Sequence, residues 1–158
     1  MENLDISVKK ISMTFNSGSK NIIALDNISF DVEQGKLFCI VGPSGCGKST
    51  LLRIILGLLE PNEGTVWTNP TREKLGVAYV QQHALLLPWR TLLQNAALGI
   101  EIKSKLNPRT IERVKKEIRE YRLNEFETNL PSELSGGMKQ KADIIRALES
   151  RPKLLFCD

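Results

Sequence analysis

Nine consecutive residues, Gly42-Pro43-Ser44-Gly45-Cys46-Gly47-Lys48-Ser49-Thr50, carry the clearest chemistry in the sequence. They fill every position of the phosphate-loop pattern G-x-x-x-x-G-K-[ST], from Gly42 to Ser49. Glycine allows positive φ and close approach of backbone to a ligand, so Gly42, Gly45 and Gly47 would turn the loop's N–H groups inward as an anion nest. A helix that starts within the loop adds the positive end of its dipole. Lys48 is then placed to reach the terminal phosphates of a nucleotide, and the Ser49 hydroxyl to ligate Mg²⁺. A unit-charge pair at about 4 Å is worth about 4 kcal/mol at an effective dielectric near 20, so Lys48 is expected to dominate triphosphate affinity.

Such a loop needs a strand before it and a helix after it. The unbroken apolar run Leu37 to Val41 predicts a buried strand. Leu51, Ile54, Ile55 and Leu58, at offsets 0, 3, 4 and 7, predict the helix. Upstream, Leu4 to Phe15 alternates loosely (Ile6, Val8, Ile11, Met13, Phe15) as a half-buried antiparallel strand would. The turn cluster Asn16-Ser17-Gly18-Ser19 leads to a second strand over Ile22 to Val32, ended by Glu33-Gln34-Gly35. Downstream, Glu60-Pro61-Asn62-Glu63-Gly64 is a turn, and Thr65 to Thr68 and Leu75 to Gln81 read as strands.

From about Leu85 the pattern becomes helical. Asn107-Pro108 pairs a cap with proline at the first helical position, and Ile111, Val114, Ile118 and Tyr121 form one apolar face. Glu112 and Lys116 are spaced for an i, i+4 pair. A further helix follows Ser135-Gly136-Gly137, with Met138, Ala142, Ile145 and Leu148 predicted to face inward, and Lys153 to Asp158 closes as a buried strand.

Bulk properties narrow the class. The 158 residues predict one domain with a real core, and 41% hydrophobic with 25% charged residues is ordinary globular composition. A net charge of +4 suits phosphate ligands or a nearby anionic surface, and no block of like charge marks a nucleic-acid tail. Cys39, Cys46 and Cys157 lack metal-ligand spacing, and three cysteines do not make a disulfide framework. No secretory leader and no apolar stretch of membrane-spanning length is visible.

At Leu134-Ser135-Gly136-Gly137-Met138-Lys139-Gln140 the sequence resembles the signature of ATP-binding cassette (ABC) ATPases. Three other stretches fall in the same order as in that family. Tyr79-Val80-Gln81-Gln82 with Leu86-Leu87-Pro88-Trp89-Arg90 resembles its Q-loop, with the family glutamine at Gln82 and Gln81 a strand residue. Leu154 to Asp158 resembles its Walker B strand, and Phe15 stands where the family places an aromatic against adenine. The wording from Ala84 to Asn95, together with Met138, looks like the nitrate, sulfonate and taurine group of bacterial import ATPases. His83 and Ala84 depart from that group, which tends to carry an acidic residue and proline there.

The resemblance implies an α/β fold: a P-loop NTPase core of ABC type with an N-terminal antiparallel β subdomain and a helical subdomain. Residues 1–35 and 62–81 would be the β-rich part, 36–61 and 138–158 the core, and 83–137 the helical part. It implies ATP and Mg²⁺ as cofactors. Gly42, Pro43, Ser44, Gly45, Cys46, Gly47, Lys48, Ser49 and Thr50 would cradle the phosphates while Phe15 stacks on adenine. Ser49, Gln82 and Asp158 would attend the metal, with Gln82 and Lys48 in catalytic roles. Ser135, Gly136 and Gly137 would meet the γ-phosphate held by a second subunit in a head-to-tail dimer.

Other implied partners are a membrane permease docking near Leu87, Trp89 and Arg90, and a separate solute-binding protein, with no nucleic acid. The implied role is to power uptake of a small anion such as nitrate, sulfonate or taurine from the cytoplasmic face of the membrane. A non-transport ABC ATPase, or a degenerate fragment that binds without hydrolysis, is the alternative. A terminus at the end of a buried strand leads to the expectation of a C-terminally truncated, poorly active chain, because the family's water-polarising glutamate would follow Asp158.

Overall fold

A computed structural model describes residues 3–18, 20–69 and 76–158, apart from the side chain of Ser17. Contacts separate two units, Met1–Lys74 with Asp158, and Leu75–Cys157. Ser19 of the predicted turn and Leu75 of a predicted strand lie outside the described residues.

In the first unit the alternating stretch forms strand Leu4–Ser17 (β1), which pairs antiparallel with Lys20–Glu33 (β2) and with Glu63–Thr68 (β3) in the order β2-β1-β3. The hairpin turns through Gly18 at φ +59°, with Ser17 opposite Lys20. Ile6, Val8, Ile11 and Met13 are buried as the alternation predicts. Asp5 and Ser7 are buried too, so this central strand is covered on both faces over its first half rather than solvated on one.

The phosphate-loop helix is Lys48–Ile55 (α1), with Leu51, Ile54 and Ile55 buried. It stops sooner than the spacing of Leu58 predicted, and the reason is local. Gly57 takes φ +68°; its N–H donates to the Ile54 carbonyl and that of Leu58 to the Arg53 carbonyl, the paired bonds of a Schellman stop. Leu58 therefore lies past the helix and is exposed.

The predicted strand Leu37 to Val41 does not form. Among the described residues nothing pairs with it, and Leu37 and Val41 are 92% and 89% exposed. An apolar run marks a segment suited to burial, but a strand exists only where a neighbour supplies backbone partners. Phe38 instead stacks on Phe30 of β2, ring centroids 4.7 Å apart.

In the second unit Val77–Val80 (β4) and Leu154–Cys157 (β5) pair in parallel, Val77 opposite Leu154 and Val80 opposite Cys157. A parallel pair needs a long crossover, and here it contains three α-helices among the described residues: Leu92–Lys103 (α2), Pro108–Glu120 (α3) and Gly136–Glu149 (α4). Phe156 is buried but Leu155 is 44% exposed, so β5 is half-buried rather than enclosed. Thr91 caps α2 and Asn107 caps α3, each in a reciprocal pair of side-chain and backbone bonds with the residue three further on. Leu92, Ala96, Val114, Ile118, Ala142 and Ile145 meet in one apolar cluster.

Two expected details change. Glu112 pairs with Arg119 at 2.8 Å and Lys116 with Glu120, in place of the predicted Glu112–Lys116 pair. Leu148 is 38% exposed, whereas Glu149 is buried against Arg113 at 2.7 Å. In the last turn of α4 it is thus Ala147 and Glu149 that are buried.

Candidate functional site

The loop from Gly42 to Gly47 is held by its neighbours. Gly45 and Gly47 have φ of +81° and +95°, but Gly42 does not share the positive φ predicted for it. Its need for glycine is steric, because a Cβ there would stand 2.7 Å from Cys46 Sγ. A Cβ on Gly47 would overlap the Ala24 carbonyl of β2. The loop therefore rests directly on the β1–β2 hairpin. Phe15 lies on that hairpin opposite Ile22, a short step from Met13, which pairs with Leu25 beside Gly47, and is 40% exposed.

Gly47 also caps α1 in a left-handed conformation with no side-chain cap, and the first turn carries no acidic residue. The helix's free N–H groups and partial positive charge thus face the loop without an internal anion to satisfy them. Lys48 Nζ folds over the loop and donates to the carbonyls of Gly42 at 2.9 Å and Pro43 at 2.8 Å. Ser49 Oγ donates to Asp158 Oδ1 at 2.8 Å, which joins positions 109 residues apart in the chain. Two hard oxygen donors so converge at the start of the phosphate-loop helix.

Among the described residues no group of three or more His, Cys, Asp or Glu side chains could hold a metal by itself. The Ser49–Asp158 pair fits Mg²⁺, which commonly takes one or two protein oxygens and completes its shell with phosphate and water.

In the second unit Gln82 is exposed in a bend just past β4, and Gln81 beside it has its carbonyl bound by Gln140 Nε2 at 3.2 Å. Ser135 caps α4 by accepting from Met138 N, while Gly136 and Gly137 are exposed with no atom near where a Cβ would be. Trp89 and Arg90, but not Leu87, border a groove of about 440 Å³ together with Leu93, Leu106 and Ile111, and Trp89 is 71% exposed. Arg90 forks onto the Glu101 carboxylate; that hydrogen bond raises the Arg90 pKa above its ordinary value and lowers that of Glu101.

Four residues of this region were not anticipated from the sequence: Asn95, Gln140, Asp143 and Arg146. Asn95 is fully buried; its Oδ1 accepts from Leu87 N at 2.7 Å, and its Nδ2 donates to the carbonyls of Leu87, Arg90 and Thr91. Its signal was an amide three residues after Leu92, on the face that the apolar residues occupy.

The sequence profile of the family described as ABC transporter matches residues 25–158. The chain belongs to the ABC transporter family. An aliphatic sulfonates import ATP-binding protein of Bacillus cereus is 35% identical over 98% of this chain and 62% of its own length. A methionine import ATP-binding protein of Carboxydothermus hydrogenoformans is 36% identical over 97% of this chain and 48% of its own. A dimeric ATP-binding cassette, MJ0796, solved in a post-hydrolysis state with ADP and Pi, superposes with a TM-score of 0.82 at 31% identity, covering 97% of this chain and 73% of that one. The chain spans about three fifths of the length of the first curated relatives it matches. The family's α/β cassette with an antiparallel β part and a helical part, expected from the motifs, is the fold observed.

Proposed function

We propose that this chain is the nucleotide-binding part of an ABC importer's ATPase subunit, binding ATP with Mg²⁺ and hydrolysing it to drive uptake of a solute. The observation that carries this reading is the convergence of Ser49 and Asp158, 2.8 Å apart, beside a lysine-crowned anion nest. On this reading Lys48 exchanges the Gly42 and Pro43 carbonyls for phosphate oxygens. The amides of the loop and of the first turn of α1 take the remaining phosphate charge. Ser49 and Asp158 hold Mg²⁺, whose role is to neutralise charge that develops on the phosphoryl oxygens. Gln82 orients the attacking water, and Phe15 supplies an apolar ring for the base.

The Ser135-Gly136-Gly137 helix start serves the ATP of a second copy, and the dimeric cassette among the solved relatives supports such an assembly. Leu87, Trp89 and Arg90 receive a membrane permease on the cytoplasmic face. No helix among the described residues is long and apolar enough to cross a membrane, which suits a peripheral subunit. A separate binding protein delivers the solute. A small anion is our first candidate, since sulfonate import proteins stand among the relatives, although a methionine importer matches equally well.

Titration of the chain with ATP and Mg²⁺ tests the core of this reading. Lys48→Ala should weaken ATP binding by up to about 10³-fold, the equivalent of about 4 kcal/mol. Ser49→Ala and Asp158→Asn should leave metal-free binding nearly intact and remove the gain from Mg²⁺. Equal loss with and without metal would refute the assigned metal role.

A further inference from the structure

Gln140, Asp143 and Arg146 lie three residues apart along α4, and all three reach the segment that contains Gln82. Gln140 holds the carbonyl of Gln81 at 3.2 Å, on one side of Gln82. On the other side the Leu85 peptide is gripped at both ends: its N–H donates to Asp143 Oδ2 at 3.4 Å, and its carbonyl accepts from Arg146 Nη1 at 2.8 Å. The other guanidinium nitrogen of Arg146 donates to Asp143 Oδ1, which closes a ring of three partners. Asp143 is 2% exposed, and a charge so placed keeps its geometry because its only alternative is an unpaired buried carboxylate. Spacing of three residues keeps the three side chains on one face of the helix.

This arrangement has a mechanical consequence. The helix that carries these grips begins at Ser135-Gly136-Gly137, the end proposed above to face a second copy's nucleotide. We infer that Gln140, Asp143 and Arg146 are positioning residues that couple that helix start to the Gln82 loop, so a shift of α4 on engaging nucleotide carries Gln82 with it and changes the surroundings of the exposed Trp89 in the next half of the loop. Packed elements with discrete hydrogen-bond partners move as units rather than deform continuously. Asn95 holds the far half of the same loop to α2, which leaves the half that contains Gln82 under the control of α4. The inference rests on the proposed function for its trigger, but not for the grip itself.

The test uses the full chain with Trp67→Phe, which leaves Trp89 as the sole tryptophan. The double variant Asp143→Asn with Arg146→Met removes both charges together and so avoids the stranded carboxylate of a single change. Arg146→Lys, which keeps the charge but loses the fork, is the milder companion. Two readouts are made: hydrogen exchange of the Leu85 amide without nucleotide, and the Trp89 emission change with ATP and Mg²⁺ against ADP. In the parent, ATP should alter Trp89 emission and ADP should not. The double variant should exchange Leu85 about tenfold faster, keep its ATP affinity within about twofold, and lose the ATP-specific Trp89 change; Arg146→Lys should fall between. Leu85 protection and Trp89 response both surviving in the double variant would overturn the coupling, as would a response that falls only in step with ATP affinity. If the parent binds no ATP, the functional reading fails, and Leu85 exchange alone decides whether these residues hold the loop.

Discussion

Gly47→Ala places a methyl group where the phosphate loop leaves no room for one. Gly47 and Gly45 both have left-handed backbones, φ +95° and +81°, so alanine at either costs about 1–2 kcal/mol in backbone strain. They differ in their surroundings. A Cβ on Gly45 meets nothing within 4 Å, whereas one on Gly47 overlaps the Ala24 carbonyl and lies 3.0 Å from Leu25 Cδ2. Relief requires the loop to lift from β2 or β2 to yield, an overpacking cost of about 1–3 kcal/mol. Gly47→Ala should therefore exceed Gly45→Ala by about 1–3 kcal/mol, or about 2–12 °C in Tm for a chain of this size. Trp67 on β3 belongs to the same unit as the loop, so urea unfolding followed by its emission in a Trp89→Phe background reports the effect directly. The two variants unfolding within about 0.5 kcal/mol of each other, the spread of neutral surface changes, would refute the claim that the loop is seated on the hairpin.

Asn95→Ala should cost about 2–4 kcal/mol, because it strands the polar groups of the 87–91 segment that Asn95 binds; thermal melts and faster proteolysis within that segment check it. Glu101 titrates below its ordinary value in the folded chain because of its hydrogen bond to Arg90. The stabilisation is thus complete above the unfolded carboxylate pKa of about 4.3 and lost as pH falls through the lower folded value. Glu101→Gln should lower Tm at neutral pH and converge with the parent in acid. Cys157 is exposed overall, but partial burial of its thiol raises the pKa. With Cys39 and Cys46 replaced by serine, its alkylation at pH 8 should be slower than that of an exposed model thiol and keep accelerating above the ordinary pKa of about 8.5. Matching rates would count against the burial.

What could be read from the sequence was what depends on short spacing. The β1–β2 hairpin and the capped starts at Asn107 and Ser135 are each encoded within a few residues, and each stands where predicted. The errors lie where a segment needs a distant partner. Leu37 to Val41 had the composition of a strand but nothing in its own residues to supply a neighbour. Leu58 is the local exception: it fitted the helical period, yet the stop at Gly57 outweighed one more apolar position. Nothing in the local pattern singles out Asp143 and Arg146, because their role depends on a loop some sixty residues earlier. The Ser49–Asp158 contact, too, was implied only by resemblance, since no local pattern joins those positions.

That contact also imposes an order on synthesis. Among the described residues, the three strands and the helix of the first unit have all been made by Thr68, so its sheet can close early. Asp158 is made 90 positions later, after the whole of the second unit. At about 5–20 residues per second, the nascent sheet waits about 5–20 s before Ser49 meets its carboxylate. Over that interval Lys48 and the loop stand without the second oxygen donor. On the proposed reading, nucleotide met on the ribosome would find a phosphate cradle before it finds a metal site.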